Sequence, residues 1–341
     1  MRRLGLAHVR VDEAGNVLGV HSASAGESAS PVVILAHLDT VFPPEQSCAV
    51  RKDGGRYVGP GIGDNSRGLA GMLALAAAIR DPAVRLSRPV LFAATTGEEG
   101  AGDLRGARHL FANMDRKPFA ALAIDGPGDD RIVHQAVGAR RFRLDFSGPG
   151  GHSWGSAGAA NPVHAAGRAT EILARWRAPE SRASLAVTRM GGGISINAIP
   201  NEAWLEVDVR GLSMRVLDAG ERAVREAADR AARMENAARA SWSDPCTVSV
   251  QKIGDRPAGE LDSLAPLVRS AVSATRAVDR EPVLVAASTD ANVPISLGIP
   301  AIAIGAGGRG GGAHTPDEWY ENAEGWVGLE RALAVLVSVA H

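Results

Sequence analysis

Four stretches of continuous apolar residues each end in polar or acidic residues. They are PVVILAHLDT (31–40), RPVLFAATTGEEG (88–100), FAALAIDG (119–126) and IPAIAIGAGG (299–308). Between the first two lies LAGMLALAAAIR (69–80), which is rich in Ala and Leu and long enough for a helix. Apolar strands that alternate with helical segments indicate a mostly parallel sheet covered by helices on both faces. In such α/β sheets, functional side chains gather at the carboxyl ends of the strands.

The middle of the chain has a different pattern. Residues 139–148 and 201–211 alternate between apolar and polar side chains, which predicts half-exposed antiparallel strands. Segments 162–176 and 214–240 are predicted to be helices. Two shorter strand candidates, SLAVTRM and CTVSVQKI, complete a β-α-β-β-α-β order.

These two patterns predict two domains. The α+β pattern predicts an inserted domain over residues 137–252. The α/β domain is then formed by residues 1–136 together with residues 253–341.

Composition excludes several classes of protein. The chain has 341 residues, of which 37 are basic and 38 acidic, so its charge gives no case for binding nucleic acid or an acidic membrane surface. Cys48 and Cys246 lie far apart, which suggests neither a disulfide framework nor a thiolate zinc site. No apolar run reaches the ~18 residues that span a bilayer, and the basic start is a poor signal peptide. We therefore expect a cytoplasmic protein.

The stretch GHSWG (151–155) fits the nucleophile elbow of serine hydrolases, with Ser153 as the nucleophile. A triad of Ser153, Asp290 and His314 is formally available in the chain order of α/β-hydrolases. In an elbow, however, an apolar strand runs directly into the motif and a helix begins at once. Here SGPG precedes the motif and Pro162 delays the helix, so the sequence disfavours this interpretation.

Polar residues near the first strand end suggest a compact ligand. His37 and Asp39 are two residues apart on a strand and therefore project to the same face. A carboxylate that fixes the tautomer of a metal-bound histidine is a recurring arrangement, although a simple hydrogen-bonded pair is the alternative. Asp64 follows a glycine-rich approach, and it is either a helix N-cap or a group brought close to a ligand.

Further polar residues follow the other apolar runs. Glu98 and Glu99 are adjacent carboxylates, which repel each other unless a cation or a proton is present. An unpaired Asp125 after a buried strand would be costly. His314 follows a glycine-rich loop, and Thr315-Pro316 is typical of the start of a helix. Oxygen and imidazole ligands without thiolates suit zinc, cobalt or manganese in a hydrolytic site.

Five motifs in order carry a family resemblance: HLDTV, GIGDNSRG, TTGEEG, AIDG and GGAHTPDE. They resemble the dinuclear zinc family of peptidase T, glutamate carboxypeptidase, aminoacylase and acetylornithine deacetylase. The resemblance extends over nearly the whole chain. It implies a zinc-exopeptidase-like catalytic domain with an inserted lid or dimerisation domain.

Position by position, the resemblance implies a role for each residue of the motifs. Asp64 would bridge two divalent ions, and the implied metal ligands are His37, Asp64, Glu99, Asp125 and His314. His37 and Asp125 would complete one ion, and Glu99 and His314 the other. Glu98 would be the general base acting with a metal-bridging hydroxide, and Asp39 would orient His37.

The resemblance also implies roles for the inserted domain. His152 in GGHS would reach across a dimer and donate a hydrogen bond to the oxyanion. Asn197 and Arg210 would contact the substrate, and the Arg210 fork would suit a free carboxylate. A surface salt bridge is the alternative for Arg210. STDAN (288–292) resembles a segment that lines the family's site, without an assigned role.

The sequence thus predicts a hydrolase with two divalent ions, with zinc expected and cobalt or manganese as alternatives. The expected activity is that of an exopeptidase on short peptides, acting as a homodimer formed through the inserted domain. An N-acyl-amino-acid deacylase is the alternative, because both substrates offer an amide next to a carboxylate. A metal-dependent binding protein that has lost catalysis is disfavoured by the intact Glu98.

Overall fold

The structure is a computed structural model that describes residues 1–22 and 29–341. The chain forms two compact units. Unit 1 comprises Met1–Ala136 and Gly259–His341, and unit 2 comprises Val137–Ala258. The expected end of the inserted domain at residue 252 falls inside a strand that continues to Arg256, because its pairing with the first strand of unit 2 continues to that residue.

Among its described residues, the first segment of unit 1 contains eight strands and two α-helices, together with short 3-10 turns at Arg2–Leu4 and Gly100–Gly102. In chain order they are β1 Ala7–Val11, β2 Val17–His21, β3 Val32–His37, β4 Arg51–Asp53, β5 Arg56–Val58, α1 Ser66–Ala78, β6 Val90–Thr95, α2 Arg105–Ala112, β7 Ala120–Ile124 and β8 Arg131–Ala136.

Unit 2 follows with six strands and two helices. They are β9 Gly138–Ser147, β10 Gly151–His152, α3 Pro162–Ala174, β11 Ser184–Gly192, β12 Ala198–Ile199, β13 Glu202–Gly211, α4 Met214–Ala238 and β14 Thr247–Arg256.

The last segment returns to unit 1. Its elements are β15 Gly259–Glu260, α5 Pro266–Ala277, β16 Val283–Ala287, α6 Asn292–Ser296, β17 Ala301–Ile304, β18 Arg309–Gly311, β19 Trp319–Glu321 and α7 Gly325–Ala340.

The main sheet of unit 1 has the strand order β1-β2-β6-β3-β7-β17-β8-β15, with β16 also paired to β8. Its centre, β6-β3-β7-β17, is parallel, and antiparallel pairs flank it on both sides. Every residue of β3, β6 and β7 is buried. Ile34 packs in a core with α1, α5 and α7, whereas Val33 and Leu35 pack on the other face with α2 and α6. The predicted α/β sheet covered by helices is confirmed.

Unit 2 contains an antiparallel sheet of order β11-β13-β9-β14. Helices α3 and α4 pack against it around a core that includes Phe142, Leu144 and Phe146. The side chain of Asn161 caps α3, and that of Ser213 caps α4. The order β9-α3-β11-β13-α4-β14 is the predicted β-α-β-β-α-β, and the short pair β10–β12 adds to it.

Within the described part of the chain, no helix combines the length and apolarity needed to cross a membrane.

Candidate metal centre

Parallel strands bring the predicted site residues of unit 1 to one edge of the sheet. His37 is the last residue of β3 and lies opposite Thr95, the last residue of β6. Asp125 directly follows β7, which pairs with β3 on its other side. Glu98 and Glu99 come shortly after β6. Since these strands run in one direction, their carboxyl ends meet at the same edge.

Asp64 contacts two imidazoles, one through each carboxylate oxygen. Its Oδ1 is 2.9 Å from His37 Nε2, and its Oδ2 is 3.3 Å from His314 Nε2. His37 Nε2 is also 3.7 Å from Asp125 Oδ1, and His314 Nε2 is 2.9 Å from Glu99 Oε1. The structure therefore forms two groups of potential metal ligands, His37–Asp64–Asp125 and Asp64–Glu99–His314, which share Asp64. Glu98 enters a third such group with His37 and Glu99.

The tautomer of His37 follows from its hydrogen bond. Nδ1 lies 3.0 Å from the main-chain oxygen of Asp39, which can only accept, so Nδ1 carries the hydrogen. In the neutral ring, the Nε2 lone pair then points at carboxylate oxygens. Asp64 Oδ1 is buried and has no hydrogen-bond donor among the described residues. Opposed acceptors in a buried site need a proton or a cation between them, and these donor atoms fit a divalent ion of the zinc type.

The electrostatics of the cluster agree with this requirement. Burial lowers the pKa of His37, but the contacts with Asp125 and Asp64 outweigh it and raise the pKa well above its ordinary value. Burial raises the pKa of Asp64, but the two imidazoles lower it by more than burial raises it. The net pKa of Asp64 therefore lies below that of an ordinary carboxyl. Burial and the charge of Asp64 raise the pKa of Glu99. The site attracts positive charge.

Asp39 acts on different partners from those expected. Its carboxylate accepts hydrogen bonds from the main-chain N–H groups of Glu98, at 3.0 Å, and Glu99, at 2.9 Å. The expectation that this side chain orients His37 is corrected, because the main-chain oxygen of Asp39 binds the ring. The Asp39 side chain instead holds the turn that presents the two glutamates.

The structure also brings in Glu318, which sequence reasoning missed. Its carboxylate accepts the main-chain N–H groups of Gly61, Gly63 and Asp64 at 2.8, 2.8 and 2.7 Å. The sequence suggested a helix beginning at Thr315-Pro316. Instead, residues 312–318 form turns, and β19 begins at Trp319. An acid after Pro is common in the first turn of a helix, so the sequence signal pointed to the wrong structure.

Asp290 is a second buried carboxylate behind the cluster. The Thr95 hydroxyl donates to its Oδ2, and its Oδ1 has no donor among the described residues. Burial raises its pKa, Thr95 and His37 lower it, and the nearby Asp125 and Asp39 raise it, giving a pKa of about 6. A serine triad would need Asp290 to orient His314, but His314 contacts Glu99 and Asp64.

Two of the predicted residues of unit 2 lie side by side. His152 in β10 pairs with Ala198 of β12, and the N–H of Ser153 donates to the main-chain oxygen of Asn197 at 3.0 Å. The N–H groups of Trp154 and Gly155 donate to His152 Nδ1 at 3.1 and 3.3 Å. In the neutral ring, the hydrogen is therefore on Nε2, and this exposed side chain has a hydrogen-bond donor available.

Arg210 lies elsewhere in unit 2, near the end of β13. Its Nε donates to Asp208 Oδ2 at 2.7 Å, so the salt bridge that was the alternative interpretation is present. The Arg210 side chain is 41% exposed. Across residues 1–22 and 29–341, no ion pair engages its two terminal nitrogens, which are the atoms that bind a carboxylate bidentately.

Comparison with known proteins gives consistent matches. The model of Peptidase family M20/M25/M40 matches residues 33–341. A probable carboxypeptidase from Aspergillus terreus is 29% identical over 227 residues, which are 61% of this chain and 52% of that protein. The chain spans about half the length of the curated relatives it matches.

Solved structures match over almost the full chain. A tripeptidase from Staphylococcus aureus superposes with a TM-score of 0.80 at 20% identity, covering 99% of this chain and 90% of that one. The YxeP protein of Bacillus subtilis, described as a dinuclear metal-binding peptidase, has a TM-score of 0.71 at 18% identity and covers 99% and 89%. At these identities, the matches show a common fold.

Proposed function

This chain belongs to Peptidase family M20/M25/M40, and from that premise we propose that it is a two-metal exopeptidase acting on short peptides. Membership confirms the resemblance carried by the five sequence motifs and supports a hydrolytic enzyme. The observation that carries the proposal is the position of Asp64, whose two carboxylate oxygens each face a different histidine–carboxylate group.

Two divalent ions, zinc in the first instance, would be held by the two groups that share Asp64. His37 and Asp125 would complete one ion, and Glu99 and His314 the other. When bound, such ions lower the pKa of a water molecule and polarise the scissile carbonyl. The three carboxylates of the two groups offset most of the charge of two divalent ions.

Glu98 is the proposed general base. It is 5% exposed and lies beside His37 and Glu99, and its N–H is held by the carboxylate of Asp39. A carboxylate at this position takes a proton from the attacking water and later hands it to the leaving amine.

Unit 2 supplies the proposed substrate contacts. The exposed Nε2–H of His152 would donate to the oxyanion, which is a contribution made mainly in the transition state. Asn197 would bind the substrate next to it. Arg210 would bind a free carboxylate through its terminal nitrogens, a group that short peptides carry.

We further propose a homodimer formed through unit 2, in which His152 serves the site of the partner copy. The cytoplasmic location expected from the sequence stays a prediction.

The function is tested by hydrolysis after chelation and reconstitution. Dipeptides, tripeptides and N-acetyl-amino acids are offered to the metal-free protein with added zinc, cobalt or manganese. We expect chelation to abolish peptide hydrolysis, added zinc or cobalt to restore it, and Ser153→Ala to remain active.

Two results would contradict this proposal. Hydrolysis by protein free of metal would exclude the metal mechanism, and a loss in Ser153→Ala equal to that in Glu98→Ala would revive the serine nucleophile. Turnover of N-acetyl-amino acids alone would identify the deacylase alternative.

A further inference from the structure

Glu318 makes three main-chain hydrogen bonds to one short loop. Oε1 accepts from Gly63 and Asp64, at 2.8 and 2.7 Å, and Oε2 accepts from Gly61 at 2.8 Å. The residue is 2% exposed. A carboxylate buried this deeply is tolerated only when it is fully hydrogen-bonded, and such charge-assisted bonds are short and strong.

The loop is shaped around this carboxylate. A Cβ on Gly63 would lie 2.9 Å from Glu318 Oε1, so a side chain there would collide with it. Gly61 has a φ of +72°, in the left-handed region that favours glycine. Close contact with Glu318 therefore explains the glycine at position 63, whereas a Cβ on Gly61 would lie 2.5 Å from Thr40 Cγ2.

The main chain of Glu318 belongs to the turn that carries His314. Its N–H donates to the oxygen of Thr315 at 3.1 Å, and its oxygen accepts from the N–H of Gly59 at 2.8 Å. His314 itself has a φ of +66°, which an L-residue keeps only where the surrounding structure holds it. Glu318 thus joins the loop of Asp64 to the turn of His314.

We propose that Glu318 is a positioning residue that sets the separation between Asp64 and His314 and thereby the metal affinity of the site. This inference rests on the proposed function, because it takes these two residues as ligands. Glu318 belongs to none of the ligand groups among the described residues, and its oxygens accept the loop N–H groups instead. It acts through the path of the main chain.

The experiment measures metal binding in the 341-residue chain. Zinc dissociation constants are obtained by competition with a chromophoric chelator, and the visible spectrum of the cobalt-substituted protein reports the coordination. The variants are Glu318→Ala, Glu318→Gln and Asp317→Asn. Asp317 is the matched control, because it lies on the same turn but its side chain is 86% exposed and contacts Arg51.

We expect Glu318→Ala to weaken zinc binding by about 10–100-fold, as loss of an outer contact to a metal ligand does. Its cobalt spectrum should change while the protein stays folded by circular dichroism. Glu318→Gln should fall between Glu318→Ala and the wild type, because its amide oxygen can still accept from Gly63 and Asp64 while its NH₂ faces the N–H of Gly61. Asp317→Asn should bind zinc like the wild type.

Wild-type affinity and cobalt spectrum in folded Glu318→Ala would overturn this inference alone. If Glu318→Ala does not fold, the decision passes to Glu318→Gln, where unchanged affinity and spectrum overturn the inference and weaker binding supports it. A wild-type protein that binds no divalent ion overturns the proposed function and this inference with it.

Discussion

The main-chain oxygen of Asp39 accepts the hydrogen bond of the His37 ring, at 3.0 Å from Nδ1. Any residue at position 39 could supply that oxygen. The carboxylate of Asp39 is the part that other residues could not supply, because one oxygen accepts the N–H of Glu98 and the other accepts the N–H of Glu99. A substitution at Asp39 should therefore act on the glutamate turn.

Asp39→Ala should lower kcat by about 10–100-fold, because the turn that presents the base loses its support. If this effect passes through Glu98, Asp39→Ala should cost much less in a Glu98→Gln background than in the wild type, since contacting residues are not additive. Steady-state kinetics of the four proteins in this double-mutant cycle make the test. If the factors by which the two substitutions lower kcat simply multiply in the double variant, Asp39 does not act through Glu98.

Glu98→Gln should keep both metal ions, because the substitution removes a base but no metal ligand. Its kcat should fall by a factor of about 10²–10⁴. Glu99→Gln should lose metal occupancy, since Glu99 Oε1 lies 2.9 Å from His314 Nε2 in one of the two ligand groups. Metal analysis and kinetics of both variants are compared under identical conditions. The opposite order of metal loss would exchange the two roles.

Arg210→Ala should raise KM for peptides with a free carboxylate and have a much smaller effect on the amidated peptides. A hydrogen bond to a charged group contributes about 1.5–3 kcal/mol, and the Arg210–Asp208 contact leaves the terminal nitrogens for the substrate. Arg189→Ala is the control, because Arg189 pairs with Glu206 on the neighbouring strand. Equal losses on both kinds of peptide would make Arg210 a structural residue.

His152→Ala should keep its metal ions and lose about 10²–10³ of kcat, the usual cost of an oxyanion donor. If His152 acts across a dimer, refolding His152→Ala chains together with Glu98→Ala chains should restore part of the activity. One site of the mixed dimer then combines an intact Glu98 with the partner's intact His152. Demonstrated subunit exchange without recovery of activity would exclude the trans arrangement.

Asp290→Asn should change how the stability of the metal-free protein depends on pH. Burial raises the pKa of Asp290 to about 6, above the value of about 3.9 in an unfolded chain. Between these values the folded protein holds a proton that the unfolded chain has lost, so the contribution of Asp290 to the free energy of unfolding falls as the pH rises.

The amide of Asp290→Asn does not titrate. As the pH rises from about 3.9 to about 6, the free energy of unfolding of this variant should therefore rise relative to that of the wild type. The rise should be at most about 1.4 kcal/mol per pH unit. Denaturant unfolding at several pH values with a chelator present makes the measurement, and Asp317→Asn is the control. A difference independent of pH would show that Asp290 does not titrate there.

The sequence by itself determined the α/β sheet, the inserted β-α-β-β-α-β unit and the group of polar residues at the strand ends. Apolar runs and period-two alternation report burial directly, and parallel strands necessarily end at one edge. For that reason His37, Asp125 and the Glu98–Glu99 pair could be expected to meet.

Only the tertiary structure decided the partners of Asp39 and the use of Glu318. Those contacts depend on the path of loops, where an acid can cap a helix, bind a side chain or accept main-chain N–H groups with the same local sequence. Glu318 is 254 positions from Asp64, and no local pattern records a contact that the fold creates over such a separation.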